Sequence, residues 1–109
     1  MSTKQSTVDY ILDQLVSLDG DVSVRKMFGE YALYCDGKVV ALVCDDTLFV
    51  KITNEGKEFV GSSYREGSPY PGAKPAMEID DDRLEDREWL SELIRVTADA
   101  LPVSDKKRT

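Results

Sequence analysis

The sequence of 109 residues contains no histidine. That absence removes Ser-His-Asp and Cys-His nucleophile pairs, the HExxH metalloprotease pattern and every imidazole metal ligand. Cysteine is scarce as well: Cys35 and Cys44 are the two present, and neither stands in a CxxC or zinc-type spacing. They read as reduced, partly buried thiols. No apolar run approaches the ~20 residues of a membrane span. The first residues, Met1 to Gln5, are polar and lack a signal-peptide core, so the expected location is the cytoplasm. Basic residues are the minority, fourteen against twenty-one acidic ones, for a formal charge of -7. Duplex-binding modules draw affinity from Lys and Arg that neutralise phosphates, and here these residues are scattered, adjacent only at Arg25-Lys26 and Lys106 to Arg108. Direct nucleic-acid binding by this chain alone is not expected. Neither a Walker A loop nor GxGxxG occurs, and no cofactor is expected.

What is present describes one globular domain, with 41% hydrophobic and 32% charged residues. Residues 1–102 form the expected domain and 103–109 a polar, fraying tail. Val8, Ile11, Leu12, Leu15 and Leu18 share one helical stripe, which predicts a helix over about 7–18, capped by Ser6 or Thr7 and ended by Gly20. From Val22 to Ile52 the period changes to two, with turns at Gly29, Asp36-Gly37 and Asp45-Asp46, the pattern of a β-meander. Asp-Gly is a two-residue hairpin signal, and in an unbroken ladder from it Cys35 faces Lys38, Leu33 faces Val40, Tyr31 faces Leu42 and Gly29 faces Cys44. A second tight turn at Asp45-Asp46 pairs Val43 with Leu48, Ala41 with Val50 and Val39 with Ile52. A short helix capped by Asn54 follows at about 55–61, then a loop over 61–75, an edge strand at Ala76 to Ile79, and a final helix whose stripe includes Trp89, Leu90, Leu93, Ile94, Thr97, Ala98 and Leu101, stopped by Pro102. The expected fold class is α+β: a two-layer sandwich of an antiparallel meander of about five strands with an N-terminal, a short middle and a C-terminal helix.

This ladder gives the sheet two apolar faces. One carries Ala32, Tyr34, Val39, Ala41, Val43, Leu48, Val50 and Ile52 and belongs under the helices. The other carries Tyr31, Leu33, Val40, Leu42, Cys44 and Phe49, too apolar to face water. Tyr31, Leu33, Leu42 and Phe49 are therefore the candidate partner-binding residues, for a protein partner or a second copy of the chain. The alternative is a small-ligand or anion site with the 61–75 loop as a lid, in which Arg25, Lys26, Lys51 or Lys74 meets an anion. The acidic group Asp80, Asp81, Asp82, Glu85 and Asp86 reads as helix-start chemistry, with Asp82 and Glu85 as a capping box, rather than as a cation site. Ser-x-x-Lys at Ser23–Lys26 and Ser104–Lys107 reads as coincidence, and no catalytic residue is assigned.

The run from Arg25-Lys26-Met27-Phe28-Gly29 through Tyr34-Cys35-Asp36-Gly37-Lys38 to Ala41-Leu42-Val43, and then Leu48-Phe49-Val50-Lys51, resembles the N-terminal domain of the TfoX/Sxy family. The likeness continues with Pro69-Tyr70, Met77-Glu78-Ile79 and the Trp-Leu helix, covering about residues 6–102. It implies a two-layer α/β sandwich and a regulatory or adaptor role, since the family's regulators promote competence gene expression together with the cyclic-AMP receptor protein. Those regulators carry a second, C-terminal domain beyond the part that this chain matches.

Overall fold

The structure is a computed structural model and describes residues 4–16, 18, 21–27 and 30–101. Helix α1 (Gln5–Gln14) leads into strands β1 (Val22–Met27), β2 (Glu30–Cys35), β3 (Lys38–Cys44) and β4 (Thr47–Val50). Helix α2 (Asn54–Val60) and a 3-10 turn (Gly61–Ser63) follow, then β5 (Glu66–Gly67), β6 (Ala76–Ile79), α3 (Asp81–Leu84) and α4 (Arg87–Ala100). The strands form one antiparallel sheet in the order β1-β2-β3-β4-β6-β5, so the fold is α+β, with the meander β1–β4 running from one edge and β6 and β5 completing the other. The sheet has six strands rather than about five, because Glu66-Gly67, expected as loop, adds to Ala76–Ile79. That addition makes β6 an interior strand and not the expected edge. The terminator Gly20, the Gly29 turn with its Cys44 pairing, Pro102 and the 103–109 tail lie outside the described residues.

Both predicted hairpins form as two-residue turns with positive φ, at Asp36-Gly37 and at Asp45-Asp46. Aspartate tolerates this left-handed backbone better than most side chains, which is why Asp45-Asp46 needs no glycine. The helix caps sit one residue or more from their expected places. Thr53, not Asn54, caps α2 by accepting from the Gly56 N–H at 2.9 Å. Asp80 caps α3 and Asp86 caps α4, accepting from Arg83 and Trp89, in place of a box built on Asp82 and Glu85. Helix α1 has no side-chain cap of its own, and Ser6 and Thr7 lie inside it. The turn residue Asp46 takes that part, accepting from the Lys4 N–H at 2.8 Å and from Thr7 Oγ at 3.0 Å.

The core lies between the sheet and the helices. Val8, Ile11, Leu90, Leu93 and Ile94 pack from the helix layer against Leu33, Ala41, Val43, Leu48, Val50 and Met77. Gln14 is buried with them and donates to the Leu84 carbonyl at 2.8 Å, which joins the end of α1 to the end of α3. Trp89 is half-buried rather than fully in the core, stacked 5.7 Å from Phe59 with the Arg83 guanidinium over its face. Lys38, just after the first hairpin turn, donates through Nζ to the carbonyls of Ala98 at 2.7 Å and Leu101 at 3.1 Å. It thereby satisfies orphan acceptors at the C-terminus of α4.

Candidate functional site on the open face of the sheet

A β-bulge decides which side chains face away from the helices. Cys35 pairs with Lys38 and Tyr34 with Val39, but Leu33 pairs with Ala41 and Tyr31 with Val43. Val40 is the extra residue, so the unbroken ladder that pairs Leu33 with Val40 and Tyr31 with Leu42 is corrected by one position. Beyond the bulge the face of every β2 residue is exchanged relative to β3. Tyr31, Leu33, Cys35 and Val40 turn to the helices, where Leu33 is fully buried and the Tyr31 hydroxyl donates to Gln5 of α1 at 2.9 Å. Ala32, Tyr34 and Val39, expected beneath the helices, turn to the opposite face by the same register.

Leu42, Cys44, Phe49 and Ala76 form a second apolar cluster, separate from the main core, on the open face. The four partner-binding candidates are thus divided: Leu42 and Phe49 stay on this face, while Tyr31 and Leu33 belong to the core. The two cysteines fall in different clusters on opposite faces of the sheet, which bars a disulfide between them. Burial pushes both thiols up from their ordinary acidity, helped at Cys35 by Asp36 and at Cys44 by Glu30.

Leu42, Phe49 and Ala76 of the second cluster line the floor of an open cleft of about 670 Å³. One wall is the segment 69–75, and Val39, Ile52 and Leu101 close the far end. This wall has a built shape. Pro71 and Gly72 occupy the centre of a β-turn in which the Ala73 N–H donates to the Tyr70 carbonyl at 3.0 Å and Gly72 takes a φ of 85°. Ser68 Oγ lies within hydrogen-bond distance of the carbonyls of Tyr70 and Ala73. The turn needs that glycine, because its third position has positive φ. At the base of the wall, a Cβ on Gly67 would stand 2.8 Å from Glu78 Oε1 and 3.1 Å from Phe49 Cε1, so β5 lies against Phe49 as closely as a glycine permits.

Of the four anion candidates, the structure brings Lys51 and Lys74 to the same cleft. Arg25 is on the same face but stacks 5.8 Å from the Tyr34 ring, and Lys26 pairs with Tyr31, on the helix side of the edge strand. The acidic residues near α3 gather no metal-type cluster: among the described residues no group of three or more His, Cys, Asp or Glu is placed to hold an ion. Among them, too, no helix is long and apolar enough to cross a membrane.

The strands and helices that build the cleft all lie within residues 13–101, the span matched by the model of the TfoX N-terminal domain. The chain belongs to the TfoX N-terminal domain family. It is also similar to an uncharacterized 12.7 kDa protein in the trpE 5′ region of Spirochaeta aurantia, 41% identical over 108 residues, covering 99% of this chain and 91% of that one. In this TfoX N-terminal domain, sequence reasoning found Leu42, Phe49, Lys51 and Lys74 and named the 61–75 loop that supplies the wall. It missed Val39, Ile52, Ala76 and Leu101. Val39, expected on the helix face, turns to the cleft through the bulge, whereas Ile52 packs in part against the main core as expected and also lines the cleft; nothing in helical periodicity signals that Leu101, likewise packed against the core, lines it too.

Proposed function

We propose that this chain is a non-enzymatic interaction module of regulatory or adaptor type, and that a protein partner docks on the sheet face turned away from the helices. The observation that carries the proposal is the separate apolar cluster whose members Leu42, Phe49 and Ala76 open onto a cleft. A face of this kind, apolar at the centre and polar at the rim, has the anatomy of an interface core. The regulatory direction rests on the resemblance to family members that promote competence gene expression. Two unbonded thiols suit a reducing compartment, and the proposed location is the cytoplasm.

The test compares the wild-type chain with Leu42→Lys as baits in the same cell extract, after circular dichroism has established that both are folded. The proposal expects a protein that the wild type retains and the variant loses; equal retention by both would overturn it. Light scattering across a concentration series identifies the case in which the partner is a second copy, by a mass that rises for the wild type and stays constant for the variant.

A further inference from the structure

We propose that the occupant of the cleft is an extended segment of the partner that presents apolar side chains beside acidic ones; this rests on the reading of the open face as a docking surface and names its ligand class. Among the described residues, the charged ones lining the cleft are Lys51 and Lys74, both cationic, and none is acidic. In a chain with twenty-one acidic and fourteen basic residues, this is a local inversion of charge. Among the described residues neither lysine takes part in an ion pair. Glu78, which stands across from Phe49 on the same face, is itself met by Arg65 at 3.7 Å. The remaining charge of the chain repels an acidic partner only weakly at this point, because a field is screened over roughly 8 Å at physiological salt while the two ammonium groups are at the contact.

Shape selects a chain segment over a small molecule. Small-ligand sites enclose most of their ligand, whereas this cleft is open, with Tyr70 on its rim 54% exposed. A segment laid along Leu42, Phe49 and Ala76 keeps one side on the sheet and the other toward solvent or the rest of its own protein. Its carboxylates then meet Lys51 and Lys74 at the rim, where such pairs set specificity and encounter rate more than raw affinity.

The experiment is a selection of randomised dodecapeptides displayed on phage against the folded chain, followed by fluorescence-polarisation measurement of the enriched peptides. Each peptide is measured against wild type, Leu42→Asp, the double variant Lys51→Glu with Lys74→Glu, and the control pair Arg25→Glu with Lys26→Glu. The expected result is enrichment of Asp or Glu next to Leu, Ile or Phe, with binding weakened about tenfold or more by the Lys51/Lys74 reversal and changed less than about twofold by the control. Peptides that depend on Leu42 but are neutral or basic, or that ignore the Lys51/Lys74 reversal, would overturn the acidic class and leave the docking face standing. Absence of any Leu42-dependent peptide would overturn both. A rise in melting temperature with octanoate, in the absence of enriched peptides, would replace the segment by a small amphipathic anion. The lysine variants carry no buried change, so a folding defect in Leu42→Asp does not remove the test.

Discussion

Leu33 stands across from Ala41, one residue further along β3 than an unbroken ladder from the Cys35–Lys38 pair would place it. The displacement puts Leu33 under α1 and α4 and leaves Leu42 on the opposite face. The two leucines should therefore respond differently to truncation. Leu33→Ala removes a fully buried side chain and is expected to destabilise the fold by about 3 kcal/mol. Leu42→Ala, half-buried over the cleft, should lose about 1 kcal/mol. Urea denaturation of the two variants checks this, and equal losses would contradict the facing assigned here.

Lys38 joins the first hairpin to the end of α4 through two carbonyls. Lys38→Met keeps the aliphatic stem and removes the donor. The expected loss is about 1–2 kcal/mol, since two partly buried acceptors and the favourable charge at a helix C-terminus are affected together. A variant as stable as the wild type in the same denaturation assay would show that water replaces the ammonium group without loss.

Gly56 is inside α2, where alanine ordinarily gains about 1 kcal/mol over glycine. Here an added Cβ would stand 2.9 Å from Thr53 Oγ1 and 3.2 Å from Met77 Cε. Thr53 is the cap of the helix and cannot retreat without giving up its bond to the Gly56 N–H. Loss of the cap removes about 1 kcal/mol, and overpacking in a filled core adds about 1–3 kcal/mol. Gly56→Ala is thus expected to lower the melting temperature; a raised one would mean that the propensity gain outweighs both.

The carboxyl of Asp46 is held below its ordinary value by the Lys4 N–H, with further help from the Thr7 hydroxyl. A carboxylate whose folded value is depressed contributes stability above its unfolded value and loses it as pH falls through the folded one. The contribution is complete at neutral pH and fades on acidification below about pH 4. Asp46→Asn keeps an acceptor and the positive φ of 60° but no longer titrates. Melting curves from neutral to acid pH should fall less steeply for this variant; parallel slopes would contradict the role given to Asp46.

The N-terminal, middle and C-terminal helices, both tight hairpins, the β3–β4 pairs Ala41–Val50 and Val43–Leu48 and a helix-covered sheet face were legible in the sequence, because each rests on local signals such as the Asp-Gly turn; the end of α1 at Gln14 rather than near Leu18, the separate α3 and the end of the β3–β4 ladder before Val39 and Ile52 were not. Val40 was not. A bulge leaves no mark in a run of apolar residues, since Leu33, Val40, Ala41 and Leu42 suit either face, and packing under α4 decides among them. The same error of one position displaced half of the candidate site. Lys51 and Lys74, twenty-three positions apart, meet at one cleft through the return of β6 beside β4, a long-range pairing that periodicity does not encode.

The measurement that tests the central claim most directly is partner retention by Leu42→Lys, made alongside its thermal unfolding. The account predicts a folded variant, with a melting temperature lowered by no more than about 8 °C, that no longer retains what the wild type binds. A variant that unfolds would show that Leu42 belongs to the core, and one that folds and still binds would show that the partner docks elsewhere.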